Sequence, residues 1–405
     1  MTRTIVVVGA GQAGFAVATR LRAQGFDGRI VLIGEEPFPP YQRPPLSKKY
    51  LTGEMTRERL GFRPDDFYRD NDIDLQLDSR VTAIDRTRRT VCLTGGRDIP
   101  FDTLVLATGA RPIHLPDAMG GNLQGVYSVR TLADVDAMQA EFRKGARILI
   151  VGGGYVGLEA AAVAAQLGLD TTVVEAAPRI LQRVAAAETA DFFRDLHKAQ
   201  GVRLIEGAGL ERLTGSARVD GAVLADGRRI DVDFVVAGIG VTPCTELAED
   251  AGLEIDNGIK VNALCQSSDP DIYAVGDCAS FPFGNTRLRL ESVPNAIDQG
   301  NATADAILGS TEPYRARPWF WSDQFHVKLQ IAGLNKGHDH TVLRAGDRPG
   351  AMSVWYFRRH ELIAVDAAND PGAYMTGKRW IERGLSPNPA DLCDPEQPLR
   401  DIKAV

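Results

Sequence analysis

Gly9-Ala10-Gly11-Gln12-Ala13-Gly14 is the first stretch of the chain whose residue types and spacing could serve chemistry. It follows an apolar run and precedes an Ala-rich segment with helical spacing. In that setting Gly9 makes a tight turn, Gly11 lets the backbone approach a pyrophosphate, and Gly14 lets the helix pack close to the strand. The phosphates then sit at a helix N-terminus, where unpaired N–H groups and the dipole favour negative charge. Glu35, at the end of the next apolar run, stands where an acid can hold a ribose hydroxyl pair. Gly152-Gly153-Gly154-Tyr155-Val156-Gly157 repeats the pattern, with Gly152, Gly154 and Gly157 in the three special positions and Glu175 as the acid. A carboxylate at that place bonds a free 2′-OH and repels a 2′-phosphate, which favours NADH over NADPH. Arg179 and Arg183 nearby are the opposing signal, since either could meet a phosphate. Two dinucleotide sites in one chain point to a tightly bound flavin (FAD) and a nicotinamide that exchanges hydride with it.

Such turns need a strand before them and a helix after them, and the sequence supplies both twice. Residues 4–22 (TIVVVGAGQAGFAVATRLR) and 147–168 (RILIVGGGYVGLEAAAVAAQLG) each read as strand, turn and helix, followed by second strands at 29–34 and 170–175. A subtler repeat closes each domain: 102–112 (DTLVLATGARP) and 233–243 (DFVVAGIGVTP) are apolar strands ending in a glycine turn and a proline, and each follows a turn-punctuated, β-like stretch. Thr108 and Gly109 in the first of these turns, and Gly240 in the second, are therefore cofactor-site candidates. Further strands are expected at 258–261 and 272–275, and a helix at 295–308. From residue 319 onward apolar runs at 329–332, 341–343, 353–357 and 362–365 alternate with turns, with a last helix at 375–383. The tail beyond Leu385, with prolines at 387, 389, 395 and 398, is expected to run extended over the surface. The fold expected is α/β: two Rossmann-like dinucleotide-binding domains plus a smaller α+β C-terminal domain. Its boundaries are 1–112 and 244–318 for the FAD-binding domain, 113–243 for the NAD-binding domain and 319–405 for the last.

The bulk properties agree. Over 405 residues the net charge is −7, which suggests no nucleic-acid partner. No run approaches the roughly 18 apolar residues of a membrane span, and the first apolar run leads into a glycine turn rather than a cleavage site, so a cytoplasmic protein without membrane attachment is expected. Cys92, Cys244, Cys265, Cys278 and Cys393 form no C-x-x-C or C-x-x-x-x-C arrangement. Reduced, buried thiols and no metal site are expected.

The two fingerprints, the ATGARP turn, YQRPPLSKKYLTG at 41–53, SDPDIYAVGDC at 268–278, ESVPNA at 291–296 and PWFWSDQ at 318–324 together resemble one family. It is the flavin-dependent NADH:ferredoxin reductases of bacterial oxygenase systems, and the resemblance covers essentially the whole chain. It implies FAD at the first site, NADH at the second, and single-electron delivery to a [2Fe–2S] ferredoxin that serves a cytochrome P-450 or ring-hydroxylating dioxygenase. By motif match it implies FAD contacts from Ala13, Glu35, Lys48, Val81, Arg130, Asp277 and Val293, with Arg43 on the pyrophosphate side. Asp277 also follows an apolar strand, at the end where α/β sites gather, and Pro294 suits the first turn of a helix that would offer its positive end to the flavin. Lys48, in a Pro-rich loop, is expected to pair with Glu159 close to the nicotinamide. Trp321, from the Trp319-Phe320-Trp321 cluster, is expected to cover a flavin face.

Related flavoenzymes that use a cysteine beside the flavin, among them disulfide reductases and NADH oxidases, would place it near residues 40–50; here the first cysteine is Cys92, which argues against thiol chemistry. A non-enzymatic redox or interaction protein like apoptosis-inducing factor would carry targeting segments and basic surfaces, and neither is seen. An acidic ferredoxin would need local positive charge, for which Arg289, Lys328, Lys336, Lys378 and Arg379 are the candidates.

Overall fold

The computed structural model describes residues 3–394 and 397–405. The chain builds two compact units, each from separate stretches: Met1–Arg43, Thr56–Arg111 and Val241–Pro318 form the first, and Pro44–Met55, Pro112–Gly240 and Trp319–Val405 the second.

The first unit centres on a five-stranded parallel sheet in the order Ile272–Ala274, Thr103–Leu106, Thr4–Val8, Arg29–Ile33, Ile73–Gln76. Ile5, Val6, Val7, Ile30, Val31, Leu32, Leu104 and Val105 are fully buried. Such unbroken apolar runs, without alternation, belong to a sheet covered on both faces. The helices Gln12–Ala23 and Val293–Ile307 lie against each other. Gly300 permits the approach, because a Cβ there would stand 2.9 Å from the Ala13 carbonyl oxygen. An Arg20–Asp305 ion pair at 2.8 Å closes the rim of that contact.

The second unit repeats the plan. Its parallel sheet runs Arg203–Glu206, Asp170–Glu175, Arg147–Val151, Phe234–Ala237, Val126–Tyr127. The strand after each fingerprint and the strand that closes each domain take the same places in both sheets, so the two sequence repeats are also a topological repeat. The C-terminal part adds a five-stranded antiparallel sheet, Trp319–Gln324, Val327–Gly333, Glu361–Ala368, Met352–Arg358, His340–Ala345. The helix Pro371–Arg383 packs on it, begins at Pro371 under an Asp370 cap and stops at Gly384. The Trp355 and Trp380 rings lie 5.6 Å apart in that contact.

Two expectations need correction. Residues 44–51 are not an open loop. Leu46–Tyr50 is a helical turn kinked at Lys48, where φ is −131° and ψ −110°. It is tied down by Tyr50, which donates to Asp136 at 2.6 Å. The tail is not extended throughout either: Pro389–Cys393 is helical, and Leu392 and Ile402 are buried. Arg344, itself buried, donates to the carbonyls of Leu392, Asp394 and Gln397 and so clamps the tail to the sheet. Pro395 lies outside the described residues. Among those described, no helix is long and apolar enough to cross a membrane.

Gly377 lets the last long helix lie close against its sheet. A Cβ there would lie 2.5 Å from Val365 Cγ1 and 3.1 Å from the Trp355 ring. Gly377→Leu is expected to lower stability by about 1–3 kcal/mol, since overpacking outweighs the gain in helix propensity. The check is the denaturant midpoint at unchanged slope; a midpoint equal to or above that of the parent contradicts this packing.

Candidate functional site

In the first unit the three fingerprint glycines divide by what surrounds them. A Cβ on Gly9 would lie 2.1 Å from the Ala107 carbonyl oxygen, and one on Gly14 1.9 Å from the Gly9 oxygen, whereas one on Gly11 would meet nothing within 4 Å. Gly9 and Gly14 are backbone packed on backbone; Gly11 borders open space at the start of the Gln12–Ala23 helix, whose N-cap makes no side-chain hydrogen bond. An uncapped N-terminus beside open space is the seat a pyrophosphate needs, and the residues fit a dinucleotide such as FAD. Asp277 is brought there by Gly276, where a Cβ would lie 3.0 Å from that of Ala13 and whose N–H donates to Gln299 Oε1 at 2.8 Å. Val293 opens its helix behind the Ser292 cap, which accepts from the Asn295 N–H. Thr108 donates to the Cys244 carbonyl at 2.7 Å, and the Cys244 N–H donates to that of Gly109 at 2.9 Å, which stitches the two chain crossings together.

The remaining first-unit candidates are less uniform. Glu35 lies two residues past its strand, is exposed, and pairs with Arg80 at 3.1 Å. Glu36 is the acid that sequence reasoning passed over: it holds Arg43 at 2.6 Å and accepts from the Tyr41 hydroxyl at 2.5 Å. Burial works to lower the pKa of Arg43, but Tyr41, Glu36 and Asp277 together hold it above the ordinary value. Arg43 and Asp277 thus share one electrostatic neighbourhood. The Val81 side chain belongs to the core, leaving its main chain as the group to meet a ligand. Arg289 is corrected as a docking charge: its side chain is 11% exposed, pairs with Glu291 at 2.7 Å, and donates to the Asp277 carbonyl. Lys378 is likewise taken by Glu382.

The second unit carries the matching turn. Cβ atoms on Gly152 and Gly157 would lie 2.4 Å from the Gly238 oxygen and 2.1 Å from the Gly152 oxygen, while Gly154 again faces open space at an uncapped helix start. Glu175 ends its strand and accepts from the N–H groups of Gly153 and Ala177, both at 2.7 Å. Arg179 does not reach for a phosphate, because it donates to the carbonyls of Ala185 and Ala186. Arg183 is exposed and comes within 4.0 Å of a Cβ position on Gly240. The Tyr155 ring packs on Phe320 at 5.1 Å with its hydroxyl buried, so Val156, 47% exposed, is the side chain this turn presents.

Lys48, Arg130 and Trp321, matched by resemblance to flavin contacts, belong to this second unit. The Arg130 N–H donates to Asp134 Oδ2 at 3.0 Å, at the start of the helix Leu132–Met138. Trp321 is half-buried, with its ring 5.7 Å from Trp319 and 6.3 Å from Phe320. Lys48 Nζ meets Glu159 Oε1 at 2.9 Å and stands 3.7 Å from Asp323 Oδ2. Ser322 donates to Glu159 Oε1 at 2.8 Å and Ser47 to Oε2 at 3.3 Å. Burial pushes the Glu159 carboxyl pKa up, and Lys48 and Ser322 oppose it. The kink at Lys48 lets neighbouring Ser47 and Lys48 both address one carboxylate. Sequence reasoning found Lys48 and Glu159 but not the two serines: the only signal for Ser322 is a Ser-x-Gln alternation in an otherwise aromatic strand, and Ser47, in the Leu46–Tyr50 turn, has none.

None of the five cysteines is in a disulfide, and the expectation of buried thiols holds only for Cys265 and Cys278: Cys92 and Cys244 are half-buried and Cys393 is exposed. Burial raises the pKa of Cys278 and takes that of Cys265 to about 11. Cys278 is held by the carbonyls of Leu106 and Val275. Neither is poised as a thiolate nucleophile. Among the described residues no cluster of His, Cys, Asp and Glu could hold a metal ion.

Comparison with known proteins gives this geometry its context. The pyridine nucleotide-disulphide oxidoreductase family matches residues 3–300, and the reductase C-terminal family matches 319–403. Putidaredoxin reductase CamA of Pseudomonas putida is 40% identical, over 99% of this chain and 97% of its own length. Rhodocoxin reductase of Rhodococcus erythropolis is 39% identical, over 98% and 93%. The reductase in the crystal structure of the covalent putidaredoxin reductase–putidaredoxin complex superposes with a TM-score of 0.95 at 40% identity, over 98% of this chain and 97% of that one. On these matches the chain belongs to the pyridine nucleotide-disulphide oxidoreductase family and also carries a reductase C-terminal domain.

Proposed function

We propose that this protein is an NADH-dependent ferredoxin reductase of the cytoplasm: it takes hydride from NADH onto bound FAD and passes electrons singly to a [2Fe–2S] ferredoxin that serves an oxygenase. The observation that carries this reading is the pair of glycine turns, each open at its middle glycine and each at an uncapped helix start, on two sheets of the same strand order. FAD supplies the change from two-electron to one-electron transfer. The chain's part is to bind and orient. Gly9, Gly11, Gly14, Arg43 and Asp277 hold the flavin nucleotide, and Gly152, Gly154, Gly157 and Glu175 hold the NADH. Lys48 and Glu159 form a fixed charge pair for hydride transfer, with Trp321 and Arg130 as further flavin contacts.

NADH should bleach the flavin of the FAD-loaded protein under anaerobic conditions, and a [2Fe–2S] ferredoxin should then be reduced with many turnovers. A variant with all five cysteines replaced by Ser or Ala should keep this turnover if it folds and holds FAD. Loss of flavin reduction in a folded, FAD-loaded Cys278→Ala protein would restore the thiol reading.

Glu175→Ala should lower the NADH-over-NADPH ratio of kcat/KM by roughly 5–150-fold, equivalent to about 1–3 kcal/mol, by removing one hydrogen-bond acceptor and one repulsive charge. Arg179, already committed to backbone carbonyls, leaves the discrimination to Glu175. An unchanged ratio would remove Glu175 from the ribose site.

Of the basic residues proposed to meet the ferredoxin, Lys328, Lys336 and Arg379 are exposed. Reversing Lys328 to Glu should slow ferredoxin reduction by about 3–10-fold at low salt, with the difference shrinking as ionic strength rises, while NADH still reduces the flavin at the parent rate. Ferredoxin kinetics that keep the parent rate and salt dependence would put the docking face elsewhere.

A further inference from the structure

Behind the Lys48–Glu159 pair lies a line of buried polar side chains that the proposed chemistry does not itself require. The strand Trp319–Gln324 alternates, so Ser322 and Gln324 share its buried face while Asp323 is exposed. Ser322, Gln324 and His197 are fully buried, and Glu159 is 6% exposed. Ser322 Oγ lies 2.8 Å from Glu159 Oε1, Gln324 Nε2 3.2 Å from Ser322 Oγ, and Gln324 Oε1 2.8 Å from His197 Nε2. His197 Nδ1 is buried with no partner.

Proton counting fixes the sense of this chain. Ser322 has one proton, and an ionised carboxylate is the stronger acceptor, so Ser322 donates to Glu159. Its oxygen must then accept from the Gln324 amide. That turns the Gln324 carbonyl toward His197, which has to donate from Nε2. The other tautomer would place a proton on Nδ1, leaving a donor buried with nothing to receive it and two acceptors facing each other at 2.8 Å. Every donor in the line therefore points toward the same carboxylate, and aligned bonds polarise one another.

We propose that His197, Gln324 and Ser322 are positioning residues, a one-way hydrogen-bond chain that keeps the Glu159 carboxylate ionised and turned to Lys48. This rests on the reading that Lys48 and Glu159 serve hydride transfer. The groups facing Glu159 are Ser47 and Lys48 from the helical turn and Ser322 and Asp323 from the strand, so Lys48 is its cation and Asp323 the opposing charge. His197 faces Gln324 and the Phe325 ring, 5.0 Å away. Burial without a charged partner takes its pKa down to about 4, so it stays a neutral donor across the working pH range. Protonation of Glu159 would free Lys48, so flavin reduction should fall as pH falls through the Glu159 pKa. Removing a donor from the chain raises that pKa and moves the acid limb upward.

The test is the pH dependence of flavin reduction by NADH in stopped flow, joined to 15N NMR of the histidine-labelled holoenzyme. Ser322→Ala and His197→Phe are expected to move the acid limb up by roughly half to one pH unit, which makes reduction about 3–10-fold slower on that limb. His197→Gln, which keeps an N–H near the position of Nε2, should bring the limb back toward the parent position. In the NMR spectrum one imidazole should remain the neutral Nε2–H tautomer down to about pH 5 and vanish in His197→Gln. A merely structural role would lower the melting temperature in both His197 variants without moving the limb. An unmoved limb in Ser322→Ala and His197→Phe, while Lys48→Met still abolishes hydride transfer, overturns the chain and leaves the proposed function standing. An Nδ1–H tautomer for His197 overturns it as well. Full flavin reduction in Lys48→Met would sink the reading of the pair and the chain with it.

Discussion

A main-chain carbonyl pressed against a glycine Cα is the constraint on which both halves of this protein turn. At Gly14 and at Gly157 any side chain would have its first carbon about 2 Å from the backbone oxygen of the turn glycine five residues earlier. Only that closeness lets each helix start directly above the end of its strand with its first N–H groups uncovered. The other features of the two sites follow from it. Glu35, two residues past its strand, and Glu175, the last residue of its own, come at the ends of second strands that lie beside the first. Asp277 reaches the first turn because Gly276 is small enough to rest on Ala13.

The second unit handles charge in an opposite manner to the first. Around Arg43 the acids outnumber the cation, and the group stays charged with ease. Around Glu159 one carboxylate is buried with one ammonium and two hydroxyls. Desolvating such a pair costs several kcal/mol per ion unless hydrogen bonds make up the loss. Ser47 and Ser322 do this directly. Ordinary packing residues at 322 and 324 would leave the carboxylate with Lys48 and the longer Ser47 hydrogen bond, and with more incentive to take up a proton. The buried serine and glutamine in an aromatic strand are therefore better understood as a response to that charge than as tolerated polar residues.

What was legible in the sequence was what is local. Three glycines at fixed spacing, a strand before and a helix after are written within about twenty residues, and the repeat at 143 residues' distance confirmed the plan. Strands at 329–332, 353–357 and 362–365 were visible for the same reason, as apolar runs between turns; the Trp319–Gln324 strand was not, because three aromatics in a row carry no alternation. Contacts across long sequence separations were invisible. His197 meets Gln324 from 127 residues away, and nothing in a helix of mixed polarity marks a buried histidine. Glu36 was missed because its neighbour Glu35 already fitted the ribose position. Arg289 was misplaced on the surface because sequence shows its charge and not its partner Glu291. Pairing is decided by the folded chain, and composition is silent on it.

The interleaving of the two units has a consequence for how the chain comes off the ribosome. The central strand Thr4–Val8 has Thr103–Leu106 on one side, and that strand in turn needs Ile272–Ala274 to complete its edge. At synthesis rates of about 5–20 residues per second, the first strand waits some tens of seconds for the last member of its sheet. Meanwhile the whole Pro112–Gly240 stretch emerges and can fold within itself, since its sheet is complete once Phe234–Ala237 is available. The first unit is thus the later to mature although it starts first. In the interval it presents Thr103–Leu106 as an unpaired apolar edge, the kind of surface that chaperones hold and that aggregation exploits.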